Sequence, residues 1–448
     1  MDQARVTGVT QIPLYGGLAD PVFSAMEFLN EITSRYPRAI SFAPGAPNER
    51  FFATVDVPYY LSAFAGHLRG QGLSETAVRR MLYQYGPSRG IISELVATAL
   101  RKDEGIKAPD RAVVITVGAQ EAMFLALRVL HAAARDALGV VAPAYVGITG
   151  AARLLGVPVI PVAPLDDRGA GVRAEQVLAD AVSAATACRL RIRTLYVAPD
   201  FANPSGARLS LDQRRELLSA ARQHDIIVLE DNAYGFTASD ANRLPTLKAL
   251  DADGRVVHIG TFAKIAVPGA RVGFLIADQQ VTMPDGGTSM LADVIAMAKG
   301  MVTVNTSPLA QALVGGMLLA NGCSLRLLGE QKAAFYRANL AFLGAALDRE
   351  LGTLRRAGHD ISWHVPEGGL FTRVRLPFAA DNELLQVSAQ DFGVLWTPMR
   401  YFHLGHDGDN EMRLSCSSLD ERLIEQGLSR IRSLLNARLG QPRPARSS

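Results

Sequence analysis

"RVVHIGTFAKIAVPGARVGFLIAD", residues 255–278, decides how the rest of the chain is read. Two apolar, β-branched runs, 255–262 and 271–278, flank a loop that holds Lys264, and Arg271 opens the second run. A lysine in such a loop is either a solvated charge or an amine held inside a pocket. Neither run alternates polar with apolar residues. That is the pattern of strands covered on both faces, as in a largely parallel sheet lying between helices.

Similar runs recur upstream: "RAVVITVG" (111–118), "LGVVAPAY" (138–145), "VPVIPVA" (157–163), "RTLYVAPD" (193–200) and "DIIVLED" (225–231). Helical stretches separate them, among them "AQEAMFLALRVLHAAA" and "SLDQRRELLSAARQHD", the second with Ser210 as its N-cap. This alternation predicts an α/β sandwich around a mostly parallel sheet. From about residue 325 the order changes to one long helix, the short strands "ISWHV", "LFTRVRL" and "EMRLSCS", and a last helix ending near 437. A smaller α+β domain follows from that order, joined by the amphipathic helix "SAMEFLNEITSRYP". The expected divisions are a flexible arm 1–19, a small-domain segment 20–60, a large domain 61–324, the C-terminal small domain 325–437 and a disordered tail 438–448.

At 448 residues, 48% hydrophobic and 20% charged, the chain has an ordinary globular composition with room for two domains. The net charge of +3 lies partly in the tail and forms no basic cluster, so no nucleic-acid partner is expected. Three cysteines, Cys188, Cys323 and Cys416, stand far apart, which argues for a reducing compartment and against a disulfide framework or a zinc site. With neither a signal-peptide pattern nor a run of about 18 apolar residues, the expected location is cytoplasmic, without a membrane partner.

Open α/β sheets bind ligands at the carboxyl ends of their strands. The first strand ends in Gly118, and Ala119 and Gln120 open a helix whose backbone N–H groups suit a phosphate. The G-x-G-x-x-G spacing of a dinucleotide site is absent. "APAYVG" exposes Tyr145, "APDFANPSG" places Asn203, "LEDNAYGF" carries Asp231 and Tyr234, and the stretch from 255 supplies Thr261 and Lys264. Each alone has an ordinary reading as a half-buried aromatic, a turn former, a helix cap or a loop charge. Together they set an aromatic ring, an amide, a carboxylate, a phenol and an amine at successive ends of one sheet. Pyridoxal phosphate explains the combination: its aldehyde needs a lysine, its ring nitrogen a carboxylate, its phenolate oxygen donors, and its phosphate a cradle.

In these motifs, and in their order from about residue 25 to 435, the chain resembles fold-type I pyridoxal-phosphate aminotransferases of class I and II. The nearest likeness is to the kynurenine/2-aminoadipate aminotransferase branch. The resemblance implies a homodimer with shared sites and an aspartate-aminotransferase-like fold. It implies that Lys264 bonds the cofactor aldehyde and then carries the substrate's α-proton, and that Asp231 pairs with the ring nitrogen. Tyr145 would stack on the ring, and Asn203 and Tyr234 would bind its oxygen. Thr261, Arg271 and the Ala119–Gln120 backbone would hold the phosphate, with Tyr85 of "YQYGPSRG" reaching the neighbouring subunit's cofactor. Arg413 of "EMRLSCS" would clamp the substrate carboxylate in a bidentate fork, with Gly45 of "SFAPGAPN" and Asn203 beside it. Ala119 and Ala263 stand where serine is common in the family, each removing a hydroxyl from the phosphate's surroundings.

"SAMEFLNEITSRYPRAISFAPGAPNERFF" together with "TPMRYFHLG" is also similar to transaminases that make non-proteinogenic amino acids for peptide antibiotics, dihydroxyphenylglycine transaminase among them. Arg373 is read as pointing outward from an edge strand, the alternative being a grip on a distal carboxylate. His403, His406, Asp407 and Asp409 are read as a turn leading to Arg413, with no metal. The expected activity moves an amino group between an L-amino acid and a 2-oxo acid, in amino-acid metabolism or biosynthesis. The same cofactor chemistry would equally serve an elimination, a decarboxylation or an oxygen-dependent oxidation. A non-catalytic sensor of this fold would carry a DNA-binding module of roughly 60 or more residues ahead of the catalytic block, and only about 20 residues precede the Asp20–Pro21 pair.

Overall fold

In the computed structural model the seven apolar runs become the seven strands of one sheet, in the order β2-β8-β7-β6-β5-β3-β4. Residues 33–165, 173–405 and 407–440 are described, with Gly16, Asp20, Phe23 and Glu31 as isolated positions. The expected arm 1–19, most of the helix over 24–37, most of the tail and His406 lie outside them. A two-residue strand, β1 (Ile40–Ser41), comes first; the large sheet is built from β2 (Val113–Thr116), β3 (Asp136–Val141), β4 (Val159–Val162), β5 (Arg191–Val197), β6 (Ile227–Asp231), β7 (Val256–Thr261) and β8 (Gly273–Ile276). Strands β3 to β7 pair in parallel, and β8 is antiparallel to both its neighbours, β7 and β2, so β2 points the same way as the other five.

Successive strand residues face opposite sides, and here both sides are core. Leu138, Leu229 and Val257 feed one hydrophobic cluster, while Ala137, Val228 and Val256 feed a second on the other face. That is why the runs lack alternation. The covering helices include α1 (Val57–Gly70), α2 (Gly118–Leu130), α3 (Val146–Leu154), α4 (Leu211–Gln223) and α5 (Pro308–Ala320). Helix α4 begins in a capping box: the Ser210 hydroxyl accepts from the Gln213 N–H, and the Gln213 side chain accepts from the Ser210 N–H.

A hairpin of β9 (Gln280–Thr282) and β10 (Thr288–Met290) follows the large sheet. The long helix α6 (Leu325–Glu350) then leads to β11 (Ser362–His364), β12 (Phe371–Arg375), β13 (Val394–Leu395), β14 (Thr397–Pro398), β15 (Glu411–Ser415) and the last helix α7 (Glu421–Leu439). A four-stranded antiparallel sheet, β11-β12-β15-β14, results, and β1 pairs in parallel with β13. Phe42, Leu343, Trp396, Leu414, Ile424 and Ile431 share one core there. Two-residue strands such as β1 and β13 are too short to leave a periodic signal, and they were not anticipated. The fold is thus the aspartate-aminotransferase-like α/β sandwich with a smaller α+β part.

Candidate active site

The strand ends converge because the loops between them are pinned from behind. The loop after β5 is held by Arg214 of α4, fully buried, whose guanidinium donates to the Pro199, Leu209 and Pro245 carbonyls and, at 2.6 Å, to Asp200. Gly206 lets the same loop pass the β12 backbone: a Cβ there would lie 2.8 Å from the Phe371 carbonyl oxygen. Asn203 is thereby set against the small domain, where its side-chain oxygen accepts from Arg413 Nη1 at 2.7 Å.

At the end of β6, Asp231 is 7% exposed and its Oδ2 accepts the Tyr196 hydroxyl at 2.6 Å. Its Oδ1 is buried with no hydrogen-bond partner among the described residues. Burial raises the Asp231 carboxyl to about 6, although the bond from Tyr196 opposes the rise. Lys264, in the turn after β7, donates from Nζ to the Gly45 carbonyl at 2.7 Å. Burial first, then the nearby Arg413 and Arg271 charges, lower its amine to about 8.

The phosphate-sized end is built where β2 meets β8. Gly118 opens α2 at φ 75° and Arg271 sits at φ 52°, both left-handed. A Cβ on Gly118 would lie 2.6 Å from Arg271 Nη2, and one on Gly273 2.6 Å from the Gly118 carbonyl carbon. Only glycine at both places lets the guanidinium meet the helix N-terminus. The Thr261 hydroxyl oxygen accepts the Ala263 N–H at 3.1 Å, which leaves its proton free for an anion.

Arg413 of β15 is 4% exposed and lies over the rings of Phe371 at 4.4 Å and Phe402 at 4.8 Å. Its Nη2 donates to the Ala43 carbonyl at 2.6 Å and to Thr397 Oγ1, while Nε has no partner among the described residues. Burial lowers the guanidinium to about 10, against the opposing influence of Tyr234 and Tyr145, so it stays charged at neutral pH.

All the residues expected at the site except Tyr85 line one cavity of about 330 Å³: Ala119, Gln120, Thr261 and Arg271 at the anion end, Tyr145, Asp231, Tyr234 and Lys264 in the middle, and Gly45, Asn203 and Arg413 towards the small domain. These groups fit pyridoxal phosphate. The unpartnered Asp231 oxygen suits a protonated ring nitrogen, the cradle at Gly118 suits a phosphate, and the Lys264 amine suits an aldehyde. A larger, mostly apolar cavity of about 500 Å³ adjoins it past Asn203, Tyr196 and Ala198, yet holds none of Lys264, Asp231, Arg271 and Arg413. The groups expected to take part in the chemistry all line the smaller one.

Tyr85 is 85% exposed and does not line its own chain's cavity. Arg373 corrects the outward reading. Its strand β12 is internal, and Arg373 pairs directly opposite Arg413, so the two share a face. Its side chain is 14% exposed and bridges to Glu411 at 3.3 Å, lining the larger cavity. Tyr196 was missed. The signal was a phenol inside an otherwise apolar strand, since a buried tyrosine hydroxyl needs a partner.

The lowered amine gives a direct test on the cofactor-free protein. At pH 7.5 a lysine titrating near 8 is roughly a quarter neutral, against about 0.1% for an ordinary lysine. An amine-reactive probe should therefore label Lys264 with a midpoint near pH 8, as read by peptide mapping. A midpoint near 10 would show a solvated loop charge instead.

A family model for aminotransferases of class I and II matches residues 74–431. The chain is 46% identical to (S)-3,5-dihydroxyphenylglycine transaminase of Amycolatopsis orientalis over 438 residues, 98% of this chain and 97% of that protein. It is 30% identical to 2-aminoadipate transaminase of Thermus thermophilus over 413 residues, 91% of this chain and 92% of that protein. Among solved structures, LysN, an α-aminoadipate aminotransferase from Thermus thermophilus complexed with N-(5'-phosphopyridoxyl)-L-leucine, superposes with a TM-score of 0.73 at 28% identity, covering 95% of this chain and 98% of that one. Kynurenine aminotransferase of Pyrococcus horikoshii, in complex with PMP, gives 0.76 at 26% identity over 94% of this chain and 96% of that one.

Proposed function

The chain belongs to the class I and II aminotransferase family, and from that premise we propose that its amino acid substrate is an arylglycine of the dihydroxyphenylglycine kind. Pyridoxal phosphate is the cofactor, and the reaction moves an amino group between an amino acid and a 2-oxo acid. The observation that carries the arylglycine reading is the 46% identity along 98% of the chain to a dihydroxyphenylglycine transaminase. The cavity supports it. Its cations among the described residues are Lys264, Arg271 and Arg413, each with a task already, and the wall adds Met123, Tyr145 and Phe371. A second carboxylate, as in 2-aminoadipate, would find no further cation in this cavity, and Arg373 of the adjoining one is already paired with Glu411, whereas an aryl ring finds apolar and aromatic surface.

Bound pyridoxal phosphate supplies an aldehyde for the amino group and a ring that draws electrons from the substrate's α-carbon. The protein's part follows from the geometry. Arg413 receives the α-carboxylate on its fork, exchanging the Asn203 and Ala43 contacts for it, while its place between two rings fixes its plane. Lys264, with an amine poised near neutrality, takes the proton from the α-carbon and returns it elsewhere as a general acid. Asp231 holds a proton on the ring nitrogen, and Tyr145 covers the ring. Arg271, Thr261 and the first N–H groups of α2 hold the phosphate.

A panel of amino acids presented to the holoenzyme tests the substrate class. 3,5-Dihydroxyphenylglycine should exceed phenylalanine in kcat/KM by at least about tenfold, the discrimination one methylene allows. It should exceed 2-aminoadipate by more. A preference for 2-aminoadipate would overturn the reading.

The enzyme works, in this reading, as a cytoplasmic homodimer serving biosynthesis, with Tyr85 reaching the partner's phosphate. Tyr83 is 70% exposed and Met301 88%, and Gly86, next to Tyr85, lies close to Asn305, so the two segments that carry these exposed apolar side chains come together. Tyr85→Phe and Lys264→Ala chains, mixed as tagged heterodimers, should regain wild-type cofactor affinity at the one site combining Lys264 with a partner's tyrosine. Activity per heterodimer should approach half that of wild type. If a cofactor titration shows no such site, Tyr85 takes no part in holding the phosphate.

A further inference from the structure

Tyr196 has no assigned role, yet its surroundings single it out. It lies in β5, between Leu195 and Val197, with 2% of its surface exposed, and its ring belongs to the large apolar cluster behind the sheet. Strand pairing sets Tyr196 beside Leu229 of β6, two residues before Asp231. From there its hydroxyl donates to Asp231 Oδ2 at 2.6 Å, a short bond of the charge-assisted kind. The other carboxylate oxygen has no partner among the described residues and belongs to a side chain that lines the cavity.

We propose that Tyr196 is a positioning residue of the reaction: its hydroxyl holds one oxygen of Asp231 and so aims the other at the cofactor's ring nitrogen. A carboxylate can rotate about its last bond, and in an apolar pocket it needs a donor to stay charged. Neighbouring groups do not supply one. Glu230 and His258 are paired with each other at 2.8 Å, Glu230 taking the Leu247 and Lys248 N–H groups as well. Lys264 donates to Gly45, and the phenols of Tyr145 and Tyr234 influence Asp231 only through space. Tyr196 therefore does two things at once. It fixes the direction of the carboxylate, and it favours the charged form, so that Asp231 leaves the shared proton on the ring nitrogen. The inference concerns the family's cofactor and holds whichever amino acid is the substrate.

Tyr196→Phe keeps the ring in its core and removes only the hydroxyl. In the cofactor-free protein the Asp231 carboxyl band, followed by infrared difference spectroscopy against Asp231→Asn, should titrate about one to two pH units higher than in wild type. That is the range for a hydrogen bond to a charged group. In the holoenzyme, kcat with the fastest donor of the panel should fall by about tenfold while KM stays near wild type. A second arm guards against misfolding. Placing 3,5-difluorotyrosine at position 196 keeps shape and hydroxyl but strengthens the donor, so the same band should titrate lower than in wild type. If the carboxyl midpoint stays put in both variants, or Tyr196→Phe retains full kcat, Tyr196 is a core residue and the proposal fails.

Discussion

Replacing Lys264 by alanine should lower turnover by at least about 10⁴-fold while the protein still folds and binds pyridoxal phosphate. The expectation rests on geometry. Lys264 Nζ is the amine that shares the cavity with Asp231 and Arg413, and burial and two cations lower it to about 8. No other described residue lining that cavity offers an unprotonated base for the α-carbon: Asp231 faces the ring nitrogen in this reading, Tyr145, Tyr196 and Tyr234 are pushed up by burial and keep their protons, and Arg271 and Arg413 are guanidinium groups. Folding should survive, because the side chain gives up a hydrogen bond to the Gly45 carbonyl and no ion pair among the described residues. Cofactor should stay through the Arg271 and Gly118 end, released by dialysis sooner than from wild type. A small primary amine added to the variant should recover part of the rate, since it can enter the space left by the side chain. Turnover within tenfold of wild type would move the proton-transfer role elsewhere.

Much of this was legible in the chain because it follows from local rules. Strands covered on both faces read as unbroken apolar runs, and all seven were visible. Their carboxyl ends carry Asn203, Asp231, Thr261 and Lys264, so these candidates can be gathered from the sequence alone. What stayed hidden depends on pairing between distant segments. Arg373 reads as an edge residue until the register sets it opposite Arg413 on an internal strand. The Ala43 carbonyl and Thr397 Oγ1 meet Arg413 only through the β14–β15 pairing and the N-terminal segment laid beside it. Tyr196 was in plain view within "RTLYVAPD", but the aspartate it holds lies 35 residues further along. The likeness to dihydroxyphenylglycine transaminases rested on loops without periodicity, where single residues carry little weight. Identity summed along the whole chain gives it strength that no motif did.

Asp231→Asn should cost about 10³-fold in kcat, with cofactor content near normal and KM little changed. The neighbouring hydroxyl makes the loss larger than a missing charge alone would. Tyr196 donates at 2.6 Å to one side-chain oxygen of residue 231. In the variant that hydroxyl will keep the amide oxygen, the only acceptor an asparagine side chain has. The amide NH₂ is then turned into the cavity, where the free Asp231 oxygen points in wild type. A donor there meets the ring nitrogen as an acceptor, so it favours the unprotonated ring, which draws electrons from the α-carbon far less. Charge and orientation thus work against the reaction together. Two further measurements separate them. Adding Tyr196→Phe to Asp231→Asn frees the amide to turn, so the double variant should be no worse than the single one, although Tyr196→Phe alone is harmful. A cofactor analogue methylated on its ring nitrogen carries a fixed positive charge and should recover part of the lost rate in Asp231→Asn. Near-normal turnover in Asp231→Asn, or no gain with the methylated analogue, would mean that the carboxylate serves something other than the ring proton.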